Sequence, residues 1–375
     1  MALCGSAACT ADPHPTTATG ATRNQSCQQL VSEARVTSGG PDKRLDNSLN
    51  AYISTGKGWT GGDSGYAYQV KGVGTVWTYA DSIVGGLVGK QIRGGTFLHN
   101  LILVNNGGRW RVVTGGTAQQ RLPLVGPAHA SDFYLSLGGV VDSAGLQVFF
   151  TQRLWVGAGL LDNIGVKTVI ATFALPGLTL RGLVPLADGS KAIQWGAYVV
   201  RFGGWIYIYG ASASGYHKFA YVARVGGGDV NAKWSYWDGN GWSSSPGRVA
   251  PMRGVETEYS EYSVTAAGGM FVLVGSDSRY AFSPYTDVYL GCTPVGPFVG
   301  RARFQFTSLV GAAGASYWRD PTVYVHDART QPAFSSGNRL VVSYEQNSLN
   351  FASVYRDPTL YRTRFVDLLI TIPPH

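Results

Sequence analysis

Charged residues are scarce in this sequence, at 14% of 375 residues, and no stretch is rich in lysine or arginine. The arginines stand singly, and no recognised nucleic-acid-binding motif is present. The net charge of +8 therefore indicates a basic solvated surface rather than a nucleic-acid partner. Long apolar runs are lacking too, since none reaches the roughly 18 residues that a membrane-spanning helix requires. We expect neither a nucleic-acid partner nor a membrane span.

Cysteine is rare as well. The four cysteines are Cys4, Cys9, Cys27 and Cys292, and none has the spacing of a metal site. Cys27 and Cys292 lie within or beside the folded region, where the sequence is compatible with a disulfide or with two buried free thiols. A glycine-rich phosphate loop with a lysine and a Gly-x-Ser-x-Gly motif are both missing. We therefore expect no cofactor and no metal in the chemistry, although a structural ion could occupy the centre of the fold.

Amphipathic stretches of helical period are missing, and glycine and aromatic residues stand out instead. The chain has 51 glycines, and 12% of its residues are aromatic, which is typical of many short strands joined by tight turns. Residues 1–26 differ, because they are rich in threonine, alanine and proline and read as a flexible tether. Such a tether before a rigid β domain predicts a secreted or cell-surface protein, although no leader is visible in the sequence.

One β-like segment recurs five times after this tail. Each copy follows a turn that contains glycine or asparagine, and the copies are spaced by roughly 60 to 70 residues. The copies lie at 75–81, 146–150, 205–210, 270–275 and 339–344. Five such units without helices between them predict an all-β fold, a five-bladed β-propeller over residues 27–375. Two consecutive β-sandwiches are the alternative, which the regular repeat and the lack of a central linker disfavour.

The two ends of the chain are expected to meet in one blade. Either residues 27–37 or the last strand, residues 361–370, would complete a blade that both termini share. The innermost strand of each blade lines a central funnel, and ligands are expected at the mouth of that funnel.

The first hairpin of the ring carries an aspartate on each arm. If Val70 lies opposite Thr75, Asp81 faces Ser64, and the carboxylates of Asp63 and Asp81 are roughly 5 to 8 Å apart. Two carboxylates at such a distance are what glycoside hydrolysis requires. The plainer interpretation is that each is a turn or strand-end aspartate that accepts hydrogen bonds from backbone N–H groups.

Seven further side chains are candidates for contacts with a sugar. Each could instead pack in the core or lie on a solvated loop, because polar and aromatic side chains in strands often do so. Trp195 could stack on a sugar ring, and Glu261 could act as a third carboxylate. The candidates are His99, Asn100, Trp195, Glu261, His326, Tyr344 and Asn347.

Taken in order, these motifs resemble those of the bacterial endo-D-arabinanase family. The similarity runs from about residue 45 to the end of the chain, and its order over five blades is more specific than any single motif. The motifs are Trp-Thr-Gly-Gly-Asp63, Tyr-Ala-Asp81-Ser, His99-Asn100, Trp195-Gly196, Tyr207-Ile208-Tyr209-Gly210, Tyr221-Val222-Ala223-Arg224, Tyr236-Trp237-Asp238-Gly239, Glu261-Tyr262-Ser263-Val264 and Val342-Ser343-Tyr344.

The resemblance implies a propeller that cleaves internal α-D-arabinofuranosyl linkages in the arabinan of mycobacterial-type cell walls, in arabinogalactan and lipoarabinomannan. It also implies catalysis by paired aspartates, which we assign as Asp63, the nucleophile or base, and Asp81, the general acid. One position departs from the family pattern: the expected His-Pro is His326-Asp327 in this sequence.

Two function classes remain open at the level of sequence. The first is an endo-acting glycoside hydrolase that works on a polysaccharide as a monomer, with retention of configuration if the aspartates pair directly and inversion if they pair diagonally. The second is a non-catalytic, lectin-like propeller that stacks sugars on Trp195 and the tyrosines. A sialidase-like or L-arabinan-cleaving propeller is a more distant third. Incubation with purified D-arabinan separates hydrolysis from binding.

Overall fold

The computed structural model describes residues 26–127, 129, 131–159, 162–186, 193–212, 218–255, 261–277, 283–306 and 322–373. Residues 1–25 of the predicted tail lie outside this set. The helices are α1 (Cys27–Glu33), α2 (Lys43–Ser54) and α3 (Phe351–Arg356), with single 3-10 turns at Pro246–Arg248 and Pro358–Leu360. Within these described ranges, no helix is long and apolar enough to cross a membrane.

The strands account for most of the described chain. In chain order they are β1 (Arg35–Pro41), β2 (Trp59–Gly62), β3 (Tyr66–Val70), β4 (Gly74–Tyr79), β5 (Ser82–Val84), β6 (Leu87–Val88), β7 (Gln91–Ile92), β8 (Thr96–Leu98), β9 (Leu101–Asn106), β10 (Arg109–Val113), β11 (Gly115–Gly116), β12 (Arg121–Leu122), β13 (Asp132–Asp142), β14 (Gly145–Trp155), β15 (Asn163–Ala174), β16 (Thr179–Pro185), β17 (Ile193–Phe202), β18 (Trp205–Ser212), β19 (Ala220–Gly226), β20 (Ser235–Trp237), β21 (Trp242–Ser243), β22 (Tyr262–Ala267), β23 (Met270–Ser276), β24 (Tyr285–Gly291), β25 (Phe298–Gln305), β26 (Val323–Thr330), β27 (Arg339–Ser348) and β28 (Arg362–Thr371).

Five antiparallel sheets follow one another along the chain, and each is one blade. The blades are β3-β4-β9-β10, β13 to β16, β17 to β21, β22 to β25, and β26 to β28 with β1 at the outer edge. The innermost strands β3, β13, β17, β22 and β26 lie side by side in that order. The recurring segments of the sequence are the second strands, β4, β14, β18, β23 and β27. The predicted five-bladed β-propeller is confirmed.

The ring closes between the fifth blade and the first. The Nε2 group of Gln331, just after β26, donates to the carbonyl oxygen of Gly65 at 2.8 Å. In return, the N–H of Ala67 in β3 donates to Oε1 of Gln331 at 3.0 Å. These two hydrogen bonds satisfy backbone groups on the inner edge of β3 and join the last blade to the first.

Apolar side chains fill the space between neighbouring blades. On β23, Phe271 and Leu273 pack toward the third blade, while Val272 and Val274 pack toward the fifth. Successive side chains of a strand point to opposite faces, so a strand covered on both faces must be apolar at nearly every position. This explains the continuous apolar runs of the recurring segments.

Both termini contribute to the fifth blade, as expected. Strand β1 pairs with β28, from Arg35 opposite Thr371 to Pro41 opposite Val366. A disulfide between Cys27 and Cys292 then ties α1 to the turn between β24 and β25 of the fourth blade. Of the two alternatives that the sequence left open for these cysteines, the structure has the disulfide.

Helix α2 was not expected from the composition. Asp42 caps it, accepting hydrogen bonds from the N–H groups of Arg44 and Leu45, each at 3.0 Å. Its buried residues are Leu45, Leu49 and Ile53, spaced by four, so one stripe of the helix packs into the cluster between the first and fifth blades.

Candidate active site

Three neighbouring strands of the first blade break at the same level, and each break carries a candidate side chain. Asp63 lies between β2 and β3, Asp81 between β4 and β5, and His99 between β8 and β9. Strands β2, β5 and β8 pair with one another in a small separate sheet. The chain thus bends three times, side by side, and these bends bring Asp63, Asp81 and His99 together.

The two aspartates are direct partners across the hairpin. The predicted register is wrong by one residue, because Val70 pairs with Gly74 and not with Thr75. The N–H of Asp63 donates to the carbonyl oxygen of Asp81, and the N–H of Ala80 donates to that of Asp63, both at 3.0 Å. Residues opposite each other in a strand pair have side chains on the same face.

Glycines beside Asp63 permit close contact with the neighbouring backbone. A Cβ at Gly62 would lie 2.7 Å from the carbonyl oxygen of Asp81, and a Cβ at Gly61 would lie 2.4 Å from that of Tyr361. Distances this short exclude any larger side chain without backbone movement. The sequence run Gly61-Gly62 therefore lets the aspartates approach each other.

Asp63 is the more enclosed of the two aspartates. The hydroxyl of Tyr361 donates to its Oδ2 at 3.1 Å and also lies 2.8 Å from the carbonyl oxygen of Asp81. Burial, followed by the nearby negative charge of Asp81, raises the pKa of Asp63 well above its ordinary value, against a smaller opposing effect of His326. Asp63 therefore holds a proton to higher pH than an exposed aspartate would.

Asp81 is partly open to solvent and is held by a histidine. Its side chain is 27% exposed, and its Oδ1 lies 2.8 Å from Nδ1 of His99. The ring of His99 stacks on Phe133 with 4.2 Å between centroids. This contact fixes the plane of the imidazole, so that its Nδ1 stays directed at the carboxylate.

The opposite wall of the site comes from the fourth and fifth blades. Glu261 precedes β22, and His326 and Asp327 lie on β26, with Nδ1 of His326 at 3.3 Å from Oδ1 of Asp327. Burial alone would lower the pKa of His326, but the carboxylates of Asp327, Asp63 and Glu261 raise it to about 10. Burial and the charge of Asp327 raise the pKa of Glu261. The imidazolium balances part of the negative charge.

These three residues also have the composition of a cation site. Donor atoms of Glu261, His326 and Asp327 lie within 4.8 Å of one another, and no other such group is found in the described part of the chain. Two carboxylates and an imidazole suit a divalent transition metal. However, Nη2 of Arg329 lies 3.3 Å from Oδ2 of Asp327 and already supplies positive charge there. The expectation of no metal remains a prediction.

Two residues with left-handed backbone join the first and fifth blades beside the site. Ser64 has φ of 55° and Asp327 has φ of 58°, and the hydroxyl of Ser64 donates to Oδ2 of Asp327. Such conformations are costly for residues other than glycine and persist where surrounding contacts impose them. Asp327 is thus held in place by its contacts with Ser64 and His326.

Arg153 was not recognised from the sequence. It lies near the end of β14, where the charges of Asp81 and Glu261 both act on it while burial lowers its pKa. Its Nη2 donates to the carbonyl oxygen of Asn163 at 3.2 Å. Arg153 therefore lies within reach of the charges of Asp81 and Glu261. The surrounding sequence has no feature that distinguishes it from other single arginines.

Asn100 and Trp195 are placed away from the site. The side-chain amide of Asn100 donates to the carbonyl oxygens of Val125 and Tyr134, at 3.0 and 2.9 Å, and so joins the first two blades. The Trp195 side chain is fully buried and meets Trp234 edge to face, with 5.7 Å between centroids. Neither side chain has a surface open to a sugar, so the structure gives both a packing role.

Tyr344 and Asn347 also pack in the interior. The hydroxyl of Tyr344 donates to the carbonyl oxygen of Phe306 at 3.3 Å, within the cluster between the fourth and fifth blades. The side-chain oxygen of Asn347 accepts from the N–H of Ser348 at 2.7 Å, and the residue is 7% exposed. Of the predicted residues, the structure brings together Asp63, Asp81, His99, Glu261 and His326.

Comparison with known proteins identifies a family and a fold. The sequence model of a family described as a domain of unknown function, DUF5005, matches residues 46–369. Among curated protein sequences, none matches this chain significantly. The family description states no activity, so the resemblance to endo-D-arabinanases stays a prediction.

Several solved structures are similar to this chain. A candidate hydrolase from Bacteroides ovatus ATCC 8483 is similar over 89% of this chain and 90% of that chain, with 18% identity and a TM-score of 0.70. A levansucrase from Bacillus subtilis has 11% identity, 86% coverage of both chains and a TM-score of 0.47. The alpha-L-arabinofuranosidase from Podospora anserina in complex with cellotriose has 9% identity, 92% and 99% coverage and a TM-score of 0.46. The first similarity supports the fold, and the two weaker ones carry no argument.

Proposed function

The chain belongs to the family of DUF5005 domains, and from the geometry of its site we propose that it is an endo-acting glycoside hydrolase. The observation that carries this proposal is the direct backbone pairing of Asp63 and Asp81 at a bend of the first blade. Opposite residues of a strand pair have Cβ atoms about 5 Å apart. Such a pairing is compatible with the separation of roughly 5 to 5.5 Å between the carboxyl groups of retaining glycosidases. We therefore propose retention of configuration at the anomeric carbon.

The different surroundings of the aspartates suggest their roles. Asp63, which retains a proton, would donate it to the leaving glycosidic oxygen as the C1–O bond breaks, while a carboxylate oxygen of Asp81 bonds to C1. Water would then attack C1, returning a proton to Asp63 and releasing the Asp81 carboxylate. This is the reverse of the assignment made from sequence, and the raised pKa of Asp63 is what supports it.

His99 would act on the reaction through Asp81. A hydrogen on Nδ1 gives the Asp81 carboxylate a fixed donor at 2.8 Å, so that one oxygen is held and the other is available to C1. On the far side, Arg153 and His326 would limit the build-up of negative charge among Asp63, Asp81 and Glu261.

The proposed substrate is D-arabinan, with cleavage of internal α-D-arabinofuranosyl linkages. Support for it comes from the order of motifs in the sequence, four residues of which, Asp63, Asp81, His99 and Glu261, lie around one site. The test is incubation of the protein with purified D-arabinan, with L-arabinan as the matched control, followed by chromatography of the products. Short oligosaccharides from D-arabinan alone are expected. Release from L-arabinan alone would assign a different linkage, and release of single sugars only would rule out internal cleavage.

The lectin-like alternative loses its main support in the structure. It relied on Trp195 as a stacking surface, but that side chain is fully buried between the second and third blades.

The stereochemistry of the proposed reaction can be tested by NMR. The anomeric configuration of the first products from the D-arabinan digest is followed over time. An initial product with the configuration of the substrate is expected, and the opposite anomer would contradict the two-step scheme.

We also propose that the protein is exported and works as a monomer. The disulfide between Cys27 and Cys292 supports export, because such bonds persist in oxidising compartments. Fractionation of the producing cells should find the protein outside the cytoplasm, and light scattering should give a mass near 40.0 kDa for the purified chain. A cytoplasmic pool with free thiols would contradict export, and a mass of twice that value would contradict the monomer.

A further inference from the structure

A row of aromatic rings runs from Asp81 toward the protein surface. The ring of His99, bound to Asp81, stacks on Phe133, and Phe133 in turn contacts Trp155 with 4.8 Å between centroids. The centroids of His99 and Trp155 are 6.3 Å apart. Phe133 is buried, whereas Trp155, the last residue of β14, is 37% exposed. The row therefore ends on the indole of Trp155, which packs on Phe133 and is partly exposed to solvent.

Strand geometry places Trp155 on the wall that also carries Arg153. Side chains two positions apart on a strand point to the same face. Arg153 lies where the charges of Asp81 and Glu261 both reach it. Trp155 therefore lies on the same face of β14 as Arg153, two residues nearer the end of the strand.

The exposure of Trp155 is unusual within this protein. Among the tryptophans in the described ranges, it alone is exposed by more than a third. The others fill the core or, like Trp205 and Trp242, enclose another side chain, in their case Arg224. Burial of the large apolar surface of an indole is favourable, and the exposed part of Trp155 lacks this stabilisation in the free protein. A bound ligand could cover that surface.

We propose that Trp155 is the stacking platform for the sugar unit next to the one attacked at Asp63 and Asp81. The inference rests on the proposed glycoside hydrolase function and adds a binding residue to the same site. The spacing suits it, because 6.3 Å between His99 and Trp155 is about the length of one sugar ring. The apolar face of a furanose packs on the indole, and its hydroxyls remain free to meet Arg153 and water. A neutral glycan fits this wall.

The test compares Trp155→Ala with Trp155→Phe and with Trp237→Ala, a control on an outer strand of the third blade. Initial rates on D-arabinan and quenching of tryptophan fluorescence by D-arabinan oligosaccharides are measured for each. For Trp155→Ala we expect KM to rise about 10-fold, with kcat within twofold of the wild type and loss of most of the quenching. Trp155→Phe should recover part of the affinity, and Trp237→Ala should match the wild type.

The outcomes separate this inference from the proposed function. If the wild type cleaves D-arabinan and Trp155→Ala, with a wild-type melting temperature, keeps the same KM, the platform is refuted while the hydrolase stands. If the wild type binds the oligosaccharides through Trp155 but cleaves nothing, the platform stands and the hydrolase is refuted. Absence of both binding and cleavage refutes both. If the melting temperature of Trp155→Ala is lowered, the KM of Trp155→Phe on D-arabinan is compared with that of the wild type instead.

Discussion

The two aspartates at the bends of the first blade differ in their surroundings although their backbones are paired. Tyr361 covers Asp63 and donates to it, whereas Asp81 is partly exposed and bound by His99. Carboxyl groups in unlike environments take unlike protonation states, which is the condition for one acid and one nucleophile at the same pH. Their chemistry therefore depends on which neighbours each aspartate has.

Replacing either aspartate by asparagine should abolish turnover while preserving the fold. We expect Asp63→Asn and Asp81→Asn each to lower kcat on D-arabinan by about 1,000-fold, with KM changed by only a few-fold, because the amide can neither donate the required proton nor attack C1. Initial rates of oligosaccharide release measure this. Asp142→Asn, at the last residue of β13, is the control and should retain full activity. A rate within tenfold of the wild type would exclude that aspartate from catalysis.

The charge of His326 should set the alkaline limit of activity. Its positive charge lowers the pKa of Asp63 against burial and the charge of Asp81. Removing it in His326→Gln raises the pKa of Asp63 further, so the acid keeps its proton to higher pH. We therefore expect the alkaline limb of kcat/KM to move to higher pH. A limb that stays in place, or moves to lower pH, would show that Asp63 is not the acid.

At this scale the sequence predicted that Asp63 and Asp81 lie close together, but not the register that pairs their strands. Asp63 and Asp81 were found because aspartates interrupt two adjacent strands, but the register was one residue off. Gly72 and Gly74 both have positive φ, of 77° and 109°, and either a three- or a four-residue turn fits such a run of glycines. Trp195 was misplaced because residue type does not distinguish a side chain facing the funnel from one packed between blades.

Helix α2 shows what local composition misses at the scale of an element. Its apolar stripe is only three residues long, and the polar residues between them resemble a loop. The helix forms because Asp42 caps its start and because the stripe buries against the first and fifth blades. Helix α2 thus depends on tertiary packing, which a single sequence does not show. The apolar second strands of the blades could be predicted because they recur along the sequence.

Asp46 in α2 should make stability depend on pH. Burial raises its pKa from 3.8 to about 6, while Arg364 and the N–H of Phe365 act in the opposite direction. The folded state thus binds a proton more tightly than the unfolded state, so this contribution to stability is complete below pH 3.8 and is lost as pH rises through 6.

Asp46→Asn removes this titration. We expect it to raise the free energy of unfolding at pH 8 by about 1 to 3 kcal/mol and to leave it nearly unchanged at pH 4. Urea unfolding at the two pH values measures the difference. Asp162→Asn, on a surface turn, is the matched control. Equal stability of Asp46→Asn and the wild type at both pH values would contradict the prediction.

At the scale of the whole molecule, the repeated hairpins of the sequence predict the ring of blades. They do not predict which segment closes the ring. Five similar hairpins predict five blades, because each blade must cover the faces of its neighbours. Which segment completes the last blade depends on long-range pairing, and the sequence allowed either terminus to do so. The structure uses β1 as the outermost strand of the fifth blade and joins the helix before it to the fourth blade through Cys27 and Cys292.

The disulfide should therefore stabilise the closure of the ring without affecting the chemistry. It spans 265 residues, so breaking it restores much conformational freedom to the unfolded chain. We expect Cys27→Ser together with Cys292→Ser, or treatment with a reductant, to lower the free energy of unfolding by about 2 to 4 kcal/mol. Activity on D-arabinan at low temperature should be unchanged, because Asp63 and Asp81 lie in the first blade. Reductant should have no further effect on the double variant. Loss of activity in a folded double variant would mean that the contact between the fourth and fifth blades also positions Glu261 and His326. The catalytic unit would then extend beyond the first blade.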